Sequence, residues 1–319
     1  MKLHGIVSAL ACLVMPIAVP LAAQTPSPAA PPVAAEQARA DDPGHAPIPV
    51  AIWAPATGSA LPLIVISHGT GAGPVSHIDT AQALAQSGFV VVAPMHPGDN
   101  FQDDSAVGRP EWLANRSRHV SKVIDFMFTQ WEGRGRLIPN RVGIFGFSAG
   151  ATTALISIGG VPDLDRAAAH CAQQREFVCN LMAPPPATGA GSGPPQWVHD
   201  RRIAAAAVAA PGLGFAFAPS GLANVQVPVQ LWAGAADQTV PYETNAAVIR
   251  RLLTRPVDFH SVPGAVHFSF LAPCGPGSPP QLCQDSEGFD RSAFHRELNR
   301  SMIDFFRTHL IGGAQARRP

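Results

Sequence analysis

Apolar positions along this chain fall into two alternating rhythms. Short apolar runs occupy 50–53, 61–67, 89–93, 141–145, 203–209, 229–233 and 257–262. They have the length of buried strands, and Gly, Pro or polar residues mark off most of them. Between them, 78–86, 111–131, 242–253 and 291–310 place apolar residues three or four apart. In the second of these, Trp112, Val120, Val123, Ile124, Met127 and Phe128 recur at helical intervals, predicting a long amphipathic helix. Strands alternating with helices predict an α/β domain over 48–312, with a mostly parallel central sheet covered on both faces. The rhythm fails in two places. Residues 24–47 are rich in Pro and Ala and predict a flexible leader, and 159–202 are rich in Pro, Gly and Ala and predict a small insertion packed over the top of the sheet. No internal repeat is visible, and 313–319 read as a short tail.

The apolar segment 6–23 has a different character. It follows Lys2, ends on Ala22-Ala23, and carries Pro16 and Pro20. This is the pattern of a secretory signal peptide over 1–23 rather than of a membrane anchor. The expectation is an exported protein, periplasmic or secreted, with no integral membrane segment after signal cleavage. Removing the signal leaves Cys171, Cys179, Cys274 and Cys283. An even number of cysteines in an exported chain predicts disulfides, with three connectivities open. Local pairing is the simplest, each bond closing a loop of about ten residues and contributing roughly 2–3 kcal/mol. The cysteines lack close Cys-x-x-Cys spacing, so no metal site is expected. Charge narrows the partners. The net charge is zero and 14% of residues are charged, with no basic stripe, which argues against nucleic acid.

The chemistry centres on Gly146-Phe147-Ser148-Ala149-Gly150. An apolar strand leads into it, and the helix-like run 151–156 follows. Gly-x-Ser-x-Gly alone is a weak signal in a chain with 29 glycines, but this context is that of a nucleophile elbow, which lifts a serine hydroxyl above a sheet. A serine needs a base to take its proton, and the base needs an acid to fix its tautomer. On such a sheet the order along the chain is Ser, acid, His. Asp237 follows the strand at 229–233 in the turn Gly234-Ala235-Ala236-Asp237, whereas Asp258 lies inside a strand and Asp285, Asp290 and Asp304 come too late. His267 follows the last strand, whereas His260 lies within it and His295 and His309 lie on the terminal helix. The oxyanion of a tetrahedral intermediate needs two N–H donors. The amide of Ala149 is one candidate, and that of Thr70, in the turn His68-Gly69-Thr70-Gly71, is the other. His68 itself reads as a brace for that turn. The acidic stretch 99–104 lacks the glycine and final glutamate of a calcium loop and reads as a solvated loop.

These segments resemble the α/β-hydrolase superfamily, and within it the bacterial dienelactone-hydrolase-like and platelet-activating-factor-acetylhydrolase-like branch. The resemblance rests on Ile66-Ser67-His68-Gly69-Thr70-Gly71, Val92-Ala93-Pro94-Met95-His96-Pro97-Gly98, the elbow, and the turn ending at Asp237. It continues through His267-Phe268-Ser269-Phe270-Leu271-Ala272-Pro273-Cys274, then Cys283, Gly288-Phe289-Asp290-Arg291 and Phe294-His295. It implies the α/β-hydrolase fold, Ser148, Asp237 and His267 as nucleophile, acid and base, and the Thr70 and Ala149 amides as oxyanion donors. True dienelactone hydrolases carry a cysteine where this chain has Ser148. The resemblance therefore implies a serine hydrolase of small carboxylic esters, short-acyl or lipid-like, with no cofactor. A peptidase or amidase would use the same residues, and a non-catalytic binding protein on this fold is the remaining alternative.

Overall fold

The computed structural model describes residues 32–182 and 195–312. The expected signal peptide, the start of the leader, residues 183–194 of the insertion and the tail lie outside them. Eight strands form one sheet: β1 (Glu36–Ala40), β2 (Ile48–Trp53), β3 (Leu61–Ser67), β4 (Val90–Pro94), β5 (Leu137–Phe147), β6 (Ile203–Ala209), β7 (Val229–Gly234) and β8 (Val257–Val262). Their order across the sheet is β1-β2-β4-β3-β5-β6-β7-β8. The pairs β1–β2 and β2–β4 are antiparallel, and every later pair is parallel.

Alternation along each strand divides the core in two. Leu63 and Val65 of β3 join one apolar cluster and Ile64 and Ile66 the other, as a period of two requires. The first cluster is covered by α2 (Trp112–Thr129), α3 (Ala149–Ser157) and α5 (Ala246–Leu252), which contribute Val123, Leu155 and Ile249. The second is covered by α1 (Ile78–Gln86) and α6 (Arg291–Phe306), through Leu84, Leu298 and Met302. Because both faces are covered, β3 is buried along its whole length.

The leader departs from expectation. Residues 36–40 form the edge strand β1, so this part of the expected leader belongs to the sheet. Its only apolar residues, Ala38 and Ala40, alternate but are too few and too small to reveal it. The strand is held by backbone pairing to β2, by a hydrogen bond from Trp131 Nε1 to Glu36 Oε2 at 3.1 Å, and by burial of Ala40. Just beyond it, Asp42 pairs with Arg118 of α2.

The insertion holds α4 (Leu164–Gln173) and a 3₁₀ turn, Phe177–Asn180. Asp163 caps α4 by accepting hydrogen bonds from the Asp165 and Arg166 amides. Both disulfides are local, Cys171–Cys179 and Cys274–Cys283. The helix expected over 242–253 begins only at Ala246, because Asn245 turns its side chain to loop groups instead of starting the helix earlier. Among the described residues no helix is long and apolar enough to cross a membrane.

Candidate active site

Ser148 stands at the turn from β5 into α3 with φ 56° and ψ −121°. A non-glycine residue held there stores roughly 1–3 kcal/mol of strain. The flanking glycines explain how the turn closes: a Cβ on Gly146 would strike the Gly150 carbonyl, and one on Gly150 would strike the Ser67 and His68 carbonyls. Strand, turn and helix thus approach within backbone contact, and the Ser148 side chain is left facing outward.

His267 opens a 3₁₀ turn, His267–Phe270, beyond β8, and its Nε2 lies 3.0 Å from Ser148 Oγ. Its Nδ1–H donates to Asp237 Oδ2 at 2.8 Å. That bond assigns the proton to Nδ1 and leaves Nε2 free to accept from the serine hydroxyl. The other carboxylate oxygen of Asp237 accepts from the Thr239 and Val240 amides at 2.9 and 2.8 Å, so the buried carboxylate is fixed on both sides. Three residues from three separate loops meet in one hydrogen-bonded line.

The loop bearing His267 is itself clamped. Ser269 Oγ accepts from the Val266 amide and donates to Asp285 Oδ1 at 2.6 Å, and Arg291 pairs with Asp285 through Nε and Nη2 at 2.9 and 3.0 Å. From α6, His295 donates to the Ser269 carbonyl at 2.9 Å and to Asp79 of α1 at 2.7 Å. The Cys274–Cys283 disulfide closes the segment between Ser269 and Asp285.

Thr70 and Ala149 line the same cavity as Ser148 and His267, of about 100 Å³. Its walls are apolar: Trp112 from α2, Val178 and Leu181 from the insertion, and Leu213, Val240 and Phe268 from loops. The insertion is seated by Glu176, which accepts from His170 Nε2 at 2.9 Å and from Asn245 Nδ2 at 2.8 Å. Among the described residues no group of His, Cys, Asp and Glu is arranged to hold a metal ion.

Behind the Thr70 turn lies a buried polar network that sequence reasoning missed. Asp99 is not solvated: it is 1% exposed, and Asn100 is buried beside it. Only the later part of the acidic stretch faces water. Asp99 accepts from the Gly71 amide, from Trp112 Nε1 and from Arg116 Nη1 at 2.8, 2.6 and 2.5 Å. Three histidines adjoin it. Burial, reinforced by the Arg116 charge, lowers His68 to about 3 and holds His96 well below the usual imidazole range. Burial, with Arg118 and Arg116 nearby, lowers His119 to about 3. All three are therefore neutral hydrogen-bonding groups near pH 7, and His68 braces its turn by donating to the Gly69 carbonyl at 2.7 Å. A signal for this network existed in the sequence. Arg116 lies four residues from both Trp112 and Val120, a charge set within the apolar stripe of α2.

A mostly parallel sheet carrying a serine on a strained strand-to-helix turn is the architecture of the α/β-hydrolase fold. Residues 49–182 match the dienelactone hydrolase family; that span contains the Thr70 turn and the elbow and ends before Asp237 and His267. Among solved structures the chain is similar to a Mycobacterium tuberculosis puromycin-hydrolyzing peptidase, with a TM-score of 0.56 and 14% identity. The similarity covers 88% of this chain and 40% of that one, and at this identity it speaks for the fold alone. No curated protein matches the chain.

Proposed function

We propose that the protein is an exported serine hydrolase of carboxylic esters with small acyl groups. The observation that carries this reading is the hydrogen-bonded line from Ser148 Oγ through His267 to Asp237. Ser148 Oγ attacks the ester carbonyl while His267 Nε2 takes its proton, and Asp237 stabilises the imidazolium that forms. The tetrahedral oxyanion is received by the Thr70 and Ala149 amides, the latter at the N-terminus of α3 where the helix dipole favours negative charge. Collapse returns the proton from His267 to the departing alcohol and leaves an acyl group on Ser148. Water, activated by the same histidine, then releases the acid.

The cavity supports small acyl groups. An apolar cavity of ~150 Å³ holds a benzene ring. By that measure about 100 Å³ takes an acyl chain of roughly two to four carbons. Export is supported by the segment 1–23 together with two disulfides, which persist in oxidising compartments. The decisive experiment compares purified wild type with Ser148→Ala on p-nitrophenyl acetate and on the matching acetanilide. Loss of ester hydrolysis by roughly 10⁵–10⁶-fold is expected. Unchanged ester hydrolysis in the variant would overturn the reading, and faster cleavage of the anilide than of the ester would make the protein an amidase.

A further inference from the structure

We propose that the buried Asp99–Arg116 pair is the positioning element of the oxyanion hole, setting the Thr70 amide relative to the Ala149 amide. This inference rests on the serine-hydrolase reading and assigns work to two residues that the reaction steps leave unused.

The argument begins with where the hydrogen bonds go. The peptide that carries the Thr70 N–H is held at its other end, where the Gly69 carbonyl accepts from His68 Nδ1 at 2.7 Å and from the Ala72 amide at 3.2 Å. The turn is also gripped on both sides of Thr70. One residue after it, the Gly71 amide donates to Asp99 Oδ1 at 2.8 Å. Two residues before it, the His68 carbonyl accepts from Arg116 Nη2, which also reaches Ser67 Oγ at 3.3 Å. The same guanidinium reaches the other half of the hole. Arg116 Nε donates to Thr153 Oγ1 at 3.0 Å, and Thr153 Oγ1 donates to the Ala149 carbonyl at 2.8 Å, one turn back along α3. One planar cation therefore spans the strand end that precedes Thr70 and the helix that begins at Ala149. Asp99 closes the figure, accepting from Arg116 Nη1 at 2.5 Å and from Trp112 Nε1 at 2.6 Å.

Both side chains are 1% exposed. Burying an ion pair of this kind seldom adds stability over an apolar filling of equal shape, so its presence calls for another account. Geometry supplies one. Arginine has five donors in a rigid fork, and here that fork is spent on three separate elements. Oxyanion donors act only if held in place before charge develops. A buried, fully bonded pair excludes the turn conformations in which the Thr70 amide points elsewhere.

The test uses Asp99→Asn, Arg116→Lys and Thr153→Val in the purified protein, with Ser148→Ala as a control. Folding is checked by melting temperature and circular dichroism. Kinetics are taken on p-nitrophenyl acetate, and the affinity of a trifluoromethyl ketone, which mimics the tetrahedral adduct, is measured alongside. Removal of one oxyanion donor costs about 10²–10³-fold in kcat. Misaimed rather than removed donors should cost roughly 10–100-fold in kcat for folded Asp99→Asn or Arg116→Lys. KM should stay within about twofold of wild type, and the ketone should weaken in step with kcat/KM. A merely structural role would lower the amount of folded enzyme without this split. If folded variants keep kcat within about threefold, or keep their ketone affinity, the proposal is overturned. Should neither charge variant fold, Thr153→Val decides, because it cuts the link to the elbow helix without changing buried charge. Its kcat should fall roughly fivefold, and an unchanged kcat overturns the proposal. Activity surviving in Ser148→Ala would instead sink the serine-hydrolase reading beneath it.

Discussion

His267 has one nitrogen committed and one exposed to Ser148, and Asp237 decides which is which. Replacing Asp237 by Asn keeps the shape but offers an amide where Nδ1–H needs an acceptor, so the imidazole turns to the wrong tautomer. We expect Asp237→Asn to lose roughly 10⁴-fold in kcat with little change in KM, measured by steady-state kinetics on p-nitrophenyl acetate. These residues were legible because each occupies a position defined by the order of strands: Ser148 after β5, Asp237 after β7 and His267 after β8. Asp99 was not. In sequence it opens the acidic run Asp99-Asn100-Phe101-Gln102-Asp103-Asp104, and nothing local separates this buried carboxylate from the exposed Asp103 and Asp104. Its burial depends on Arg116, seventeen residues later, and on the Gly71 amide, twenty-eight residues earlier.

Two loop elements shape the site and are open to test separately. The segment after β8 is tied by the Cys274–Cys283 disulfide and by the Asp285–Arg291 pair, both acting on the loop that carries His267. Replacing both cysteines by serine should lower stability by about 2–3 kcal/mol, read as a drop in chemical-denaturation midpoint. An accompanying fall in kcat is expected if the loop loosens around the base; unchanged stability and kcat would separate the disulfide from the loop. In the proposed reading the insertion bears on specificity instead. Its 3₁₀ turn brings Val178 and Leu181 to the cavity wall, seated by Glu176 on Asn245. Leu181→Ala should enlarge the acyl pocket and move the preferred p-nitrophenyl ester from two to four carbons toward about six. A panel of acyl lengths checks this, and an unchanged preference would remove Leu181 from the acyl site. The insertion was visible in sequence as a break in the strand–helix rhythm, but which of its side chains reach the pocket depends on how α4 packs.

The molecule as a whole carries its acid sensitivity in buried imidazoles. His68 and His119 are lowered to about 3 and His77 to about 4, in each case chiefly by burial. The native state therefore binds fewer protons than the unfolded chain between those values and the ordinary histidine range. The stability these groups contribute is full above pH ~6.5 and is lost as pH falls toward ~3, at up to about 1.4 kcal/mol per pH unit for each histidine. The melting temperature should accordingly drop steeply from pH 6.5 to pH 4, and a flat profile would contradict neutral burial of these groups.

The alternation of short apolar runs with amphipathic segments was enough to specify a mostly parallel sheet with helices on both faces, because burial of apolar surface has a period that sequence displays directly. The elbow was readable because its motif occupies five consecutive residues between a strand and a helix, and Gly146 answers to the nearby Gly150 carbonyl, whereas Gly150 answers to the distant Ser67 and His68 carbonyls. The edge strand β1, the seating of the insertion, and the Asp99–Arg116 network depended on the folded molecule. The strand β1 pairs its backbone with the nearby β2, and the other two are made by polar groups whose partners lie mostly far along the chain; a hydrogen bond leaves no periodic trace in the residues that form it.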